Sequence, residues 1–194
     1  MDRAEAEVRL LDAAEELFYE RGIQAVGMDQ VRAASGVSLK RLYQVYPSKS
    51  ELVLACLERR DRRWRSRLAE YAESVPGGVV ERVLAVYDWL YEWFCEPDFR
   101  GCAFINSFGE LRAADPAVAD AVRAHKSAFH AYMAGLVAAA GESGQTVGPL
   151  VLLAEGAITT AAITGSPEPA RQARLGAAQL LAAWQPPVTR QEEG

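Results

Sequence analysis

The run GMDQVRAASGVSLKRLYQVYPSKSEL at residues 27–52 limits what this chain can fold into more than any other part of it. Gly27 opens a short helix, expected from Met28 to Ser35, with Met28, Val31 and Ala34 turned inward. Gly36 breaks that helix at a point where positive φ suits a residue without a Cβ. Ser38 caps a second short helix through Gln44, and Pro47 stops it by disfavouring helical geometry at Tyr46. Upstream, Val8, Leu11, Ala14, Leu17 and Phe18 recur at helical spacing between Glu5 and Arg21, and Gly22 ends that stripe. Val31, Val37 and Leu42 are expected to hold the two short helices against the first. Helix, tight turn, helix and tight stop is the form of a helix-turn-helix.

The second short helix is then free to present Ser38, Lys40, Arg41, Tyr43 and Gln44 outward. Those side chains suit a major groove: Lys and Arg donate to guanine O6 and N7, Gln pairs with adenine, and a Tyr hydroxyl reaches phosphate. The other reading of the same pattern is a helical hairpin with no DNA role.

Ser48 and Glu51 form a capping-box pair at the start of a fourth helix that persists to Ser74. Its far half, ERRDRRWRSR, reads either as a solvated face or as a contact with DNA flanks. Longer, more apolar helices follow: Val79 to Cys95, Ala103 to Leu111, Pro116 to Ala140, Pro149 to Thr164 and Pro169 to Trp184. They are separated by breaks at 96–98, at Asp115-Pro116, at 141–148 and at 165–167. No strand-like alternation of useful length appears, so the expectation is an all-α chain of about nine helices. A helix-turn-helix domain would occupy residues 1–50, with the motif itself at about 27–46. A larger helical domain would occupy 51–185, joined through the 48–74 helix, and a frayed tail 186–194.

Half of the 194 residues are apolar, enough for a buried core. Charge is uneven: residues 1–67 hold 13 Lys and Arg against 11 Asp and Glu, a balance of +2, whereas the remainder carries −7. An acidic body is repelled by phosphates, so any DNA contact must be confined to one patch. MDRAEAEVRL at the N-terminus has no apolar run that could act as a signal peptide, and a cytoplasmic protein is expected. The longest apolar stretch, Leu150 to Ile163, is interrupted by Glu155 and falls short of the roughly 20 residues a membrane span needs, so no membrane partner is expected. Cys56, Cys95 and Cys102 lack metal or disulfide spacing and read as reduced, buried small hydrophobes. His125 and His130 are five apart, on different faces of one helix, which is wrong for a metal pair. With no phosphate loop or nucleophile elbow either, no enzyme, cofactor or metal is expected.

Gly36-Val37-Ser38, Tyr43, Tyr46, Lys49 and Leu52 match, in order and spacing, the N-terminal signature of the TetR/AcrR regulators, which the chain resembles over about residues 5–55. The resemblance implies a sequence-specific transcription regulator, expected to be a repressor, in which Tyr43 and Lys49 hold DNA phosphates. Gly27, Arg32, Val45 and Tyr46 stand where such proteins usually have Thr or Ser, Ala, His and Phe. A phosphate contact is lost at Val45, while the Gly27 backbone N–H keeps one within reach. The expected DNA-contacting set is Gly27, Ser38, Lys40, Arg41, Tyr43, Gln44, Tyr46 and Lys49.

RGCAFINSFGEL followed by Asp-Pro, and two Ala-rich terminal helices, look like the regulatory half of many such proteins. That implies a homodimer through the last two helices, operator DNA as partner and a small-molecule effector. Trp89 and Trp93, four apart, and Phe104 and Phe108, four apart on the next helix, are the expected walls of an apolar or aromatic ligand site with Tyr132. Asn106 and Glu110 are the nearest polar groups to orient a ligand. Aromatics at such spacing also make ordinary core, and a protein binding DNA without any ligand remains the alternative.

Overall fold

The computed structural model describes residues 2–139 and 144–183, and the nine α-helices among them follow from local signals. Helix α1 (Arg3–Arg21) starts where the Asp2 carboxylate accepts the Glu5 N–H at 2.8 Å, and ends at Gly22 with φ 86°. Helix α2 (Met28–Ser35) ends at Gly36, whose φ of 67° is the left-handed conformation expected there. Helix α3 (Leu39–Val45) starts where the Ser38 hydroxyl accepts the Arg41 N–H at 3.3 Å. Then follow α4 (Lys49–Ser74), α5 (Val79–Phe94), α6 (Ala103–Leu111), α7 (Pro116–Ala139), α8 (Val147–Thr164) and α9 (Glu168–Ala183). Pro149 and Pro169 fall inside first turns rather than opening them, where a missing N–H still costs no helical hydrogen bond. Of the expected break at 141–148 the described part, from Gly144, is helical: Gly144–Thr146 is a 3-10 turn running into α8. Trp184 and the 186–194 tail lie outside the described residues.

Two compact units divide the chain, one holding residues up to Ser66 together with Arg100–Ser127, the other Arg67–Phe99 together with residues from Ala128. Packing therefore draws its line elsewhere than a boundary at residue 50, because α6 and the start of α7 pack with the N-terminal helices. In the first unit α1 carries Ala6, Leu10, Ala14 and Leu17 into the core, with Val31, Val37 and Leu42 against it. Val8, expected in that stripe, is 55% exposed, since at about 100° per residue it stands opposite Leu10 and Leu17. In α2 the inward residues are Val31 and Ser35, with Met28 half-buried and Ala34 exposed; Ser35, seven residues on from Met28, shares its face and Ala34 does not.

His125 of α7 is buried in the first unit, stacked on Phe104 at 3.6 Å, with Nδ1 2.7 Å from an Asp61 oxygen. Burial alone would raise the Asp61 carboxyl, but hydrogen bonds from Arg65 and His125 outweigh it and hold it below the ordinary value. His130 is exposed. Cys56 and Cys102 are buried as expected, but Cys95, just past the end of α5, is exposed.

In the second unit α8 and α9 pack on each other and on α5. Close approach is possible because Gly176 meets the Leu153 side chain where a Cβ would lie only 3.4 Å away. The helical stretch Gly144–Thr164 is longer than the run read from sequence: it has 21 residues and is long and apolar enough to cross a membrane, with an 18-residue window of mean hydropathy 1.6 of which only 33% is buried.

Candidate nucleic-acid interface

Helix α3 buries Leu42 and Val45 and exposes Leu39, Lys40, Tyr43 and Gln44. At about 100° per residue the four exposed positions fall within about 140° of one another, a single stripe opposite the buried pair. Ser38 precedes the stripe, fixed by its cap to Arg41. Arg41 lies on the flank of the stripe, half-buried, with Nη1 donating to Gln44 Oε1 at 3.3 Å. Residues 22–50 hold four basic side chains, Arg32, Lys40, Arg41 and Lys49, against the one acidic Asp29, so this segment is locally cationic in an acidic chain.

Lys49 opens α4, half-buried, its Nζ 6.0 Å from the centre of the Phe18 ring. Burial lowers its affinity for a proton and the Glu110 carboxylate partly restores it. Tyr46 departs from expectation. It is 7% exposed, and its hydroxyl is enclosed without a hydrogen-bond partner, so burial pushes its ionisation well above the ordinary tyrosine range. A side chain so placed packs the helix-turn-helix and offers no contact to phosphate. Gly27 also differs: its N–H, expected to be open to phosphate, donates to Gln30 Oε1 at 2.6 Å.

Charged residues on α4 are committed locally. Arg59 pairs with Asp12 and Glu15 at 2.8 and 2.6 Å, Arg63 with Glu15, Arg62 with Glu58 and Arg65 with Asp61. Arg60 lies 3.9 Å from the Tyr19 ring centre. That favours the ion-paired face over a stripe waiting for DNA flanks.

One arrangement was not visible in the sequence. Glu110 at the end of α6 accepts the Gln24 N–H at 2.8 Å, and its backbone oxygen accepts Gln24 Nε2 at 2.5 Å. The Tyr19 hydroxyl donates to Gly101 O at 2.7 Å and accepts from the Arg100 N–H at 2.8 Å, while Ser50 donates to Asp115. The turn between α1 and α2, and the start of α4, are thereby tied to residues 100–115. Partners 65 to 86 positions apart leave no local signal.

Among the expected ligand residues, Trp89 and Trp93 are buried and stacked at 5.6 Å in the second unit, with Phe99 edge-on to Trp93 at 5.1 Å. Tyr132, in the same unit, has an enclosed hydroxyl without a partner. Phe104, Asn106 and Phe108 belong to the first unit. Phe104 is taken up by His125, and Asn106 donates to Arg100 O at 3.3 Å. Glu110 is engaged with Gln24. A cavity of about 40 Å³ lies between α1, α4 and α6, lined by Phe18, Tyr19, Cys56, Arg60, Asn106 and Ser107 among others; of the expected ligand residues it reaches the two polar ones, Asn106 and Glu110, and none of the aromatic ones. Burial, assisted by Glu15, pushes the Cys56 thiol up to about 12, so it stays protonated and unreactive there.

Known proteins with similar sequences carry the same architecture. Residues 10–56 match the model for bacterial regulatory proteins of the tetR family, and residues 79–177 the model for the tetracyclin repressor-like C-terminal domain. The transcriptional activator FasR of Mycolicibacterium smegmatis is 48% identical over 59 residues, 30% of this chain and 27% of FasR. The transcriptional repressor NemR of Escherichia coli is 28% identical over 103 residues, 53% of this chain and 52% of NemR. The matches thus span about a quarter and about half of these relatives. A TetR-family transcriptional regulator from Streptomyces coelicolor superposes with a TM-score of 0.83 at 33% identity, over 92% of this chain and 95% of its own. Aligned with that regulator over nearly its whole length, and matched over half of its residues by the C-terminal model alone, the chain belongs to the TetR family of bacterial regulatory proteins.

Proposed function

We propose that this chain is a cytoplasmic, sequence-specific DNA-binding transcription regulator, not an enzyme, which represses by occupying an operator as a homodimer. In this reading residues 1–50 read the DNA, while 51–185 dimerise and bind an effector. The observation that carries it is the α3 stripe, a short helix on a glycine turn that exposes Lys40, Tyr43 and Gln44 within a locally cationic segment. Lys40, with Arg41 at its flank, reaches base edges; Ser38, Tyr43 and Lys49 hold phosphates. Selection from a random duplex pool tests this: a single enriched site, bound at least 10³-fold more tightly than scrambled DNA at fixed salt, is the expected result, and no enrichment refutes it.

Dimerisation is supported by the apolar surface of α8 and α9. Leu152, Ile163 and Leu175 are 72, 80 and 62% exposed, and a groove lined by Pro149, Leu152, Leu153, Gly176, Gln179 and Leu180 runs between the helices. A second copy of the same two helices covers such a face and sets two α3 helices for successive half-sites.

A small apolar or aromatic effector, bound near Trp89, Trp93 and Tyr132, is proposed to lower operator affinity. Its support is the unpaired Tyr132 hydroxyl, a buried polar group that a ligand can satisfy. Against it, the mutual packing of Trp89, Trp93 and Phe99 favours a solid domain and ligand-independent binding. Titration of apolar ligands by Trp fluorescence alongside an operator gel shift separates the two. An effector quenches fluorescence and weakens operator binding about 5- to 150-fold; quenching without that loss leaves DNA binding ligand-independent.

A further inference from the structure

We propose that Leu39 reads a thymine, seating its side chain against the C5-methyl group of one thymine in each half-site. The inference rests on the reading of α3 as the helix that enters the major groove. Leu39 is the first residue of α3 and is 45% exposed, on the same edge of the stripe as Tyr43, one turn on. An exposed leucine is ordinary in itself. What sets this one apart is its company and its redundancy.

Every other side chain of the stripe, Lys40, Tyr43 and Gln44, ends in a hydrogen-bonding group; Leu39 has none. It is not needed to hold the helix down, because Leu42 at 0% and Val45 at 9% exposure already do so. Its position is fixed. Ser38 caps the helix through the Arg41 N–H, and the Leu42 N–H donates to Ser38 O at 2.9 Å, so the backbone that carries Leu39 is clamped on both sides.

In the major groove the edges of guanine, cytosine and adenine offer only donors and acceptors, whereas thymine adds one apolar group, its methyl. A leucine pressed on a polar edge strips its water and returns no hydrogen bond. Against thymine it buries the methyl instead. Leu39 therefore discriminates twice, by a gain at thymine and a penalty elsewhere.

The test uses the full chain and its selected operator, with each thymine replaced in turn by deoxyuridine, which keeps base pairing and removes the methyl. One position per half-site is expected at which deoxyuridine weakens wild-type binding about fourfold, and roughly 15-fold when both half-sites carry it, the worth of one buried methyl each. Leu39→Ala, with the circular dichroism and melting temperature of the wild type, is expected to bind thymine and deoxyuridine equally there. Wild-type binding indifferent to deoxyuridine at every position, or an unchanged thymine preference in Leu39→Ala, overturns the inference and leaves the proposed function standing. A protein that enriches no site overturns both.

Discussion

Two buried tyrosines differ by one hydrogen bond. The Tyr87 hydroxyl donates to Leu150 O at 2.8 Å, whereas the Tyr46 hydroxyl is enclosed with no partner. Tyr87→Phe should therefore cost about 1 kcal/mol in urea unfolding, and Tyr46→Phe should cost nothing or add up to about 1 kcal/mol. A Tyr46→Phe protein clearly less stable than the wild type would show that the hydroxyl is satisfied. On DNA, Lys40→Ala should lose about 1 to 3 kcal/mol on the cognate site and blur its preference, while Lys49→Ala should weaken all duplexes alike and lower the salt slope by about one. Anisotropy titrations at several salt concentrations read both; equal, sequence-blind losses would refute the division of roles. Lys40, Tyr43 and Gln44 could be read from the sequence because a seven-residue helix held by Leu42 and Val45 has only one free side. Tyr46 could not, since it follows the last turn of α3, where helical spacing no longer says which way a side chain points.

At the scale of elements, ends were legible wherever a cap or a breaker sits in the sequence. Gly22, Gly36, Ser38 and Asp115 placed α1, α2, α3 and α7 within a residue or two. Contacts between elements were not. His125 stood in the sequence only as a histidine in an apolar helix, and the partner that keeps it buried, Asp61, is 64 positions away. That pairing makes a prediction about pH. The Asp61 carboxyl is held below its unfolded value, so its contribution to stability is present above the ordinary carboxylate range and lost as pH falls through the depressed folded value. Asp61→Asn should destabilise by about 1 to 3 kcal/mol at pH 7 and by less at about pH 3, below the ordinary carboxylate value. Urea unfolding at both pH values checks it; an equal loss at both would show that the charge plays no part.

For the molecule as a whole, the apolar character of α8 was visible in the sequence, but the share left uncovered was not, since burial depends on how α5 and α9 pack against it. If a second copy covers that face, Leu152→Glu combined with Leu180→Glu should give a folded monomer by light scattering at micromolar concentration and abolish operator binding while leaving the helical circular dichroism intact. A double variant that stays dimeric would place the interface elsewhere. The make-up of the first unit bears on how the protein is made. Its N-terminal helices are joined in packing by residues 100–127, through Tyr19, Gln24 and Ser50. During synthesis, at about 5 to 20 residues per second, the helix-turn-helix must therefore wait several seconds after its own residues are made before α6 and the start of α7 exist to brace it. The same dependence limits recombination between relatives: a head exchanged at residue 50 arrives without its Glu110 and Asp115, so exchanges that keep the partner segment are the ones expected to yield working hybrids.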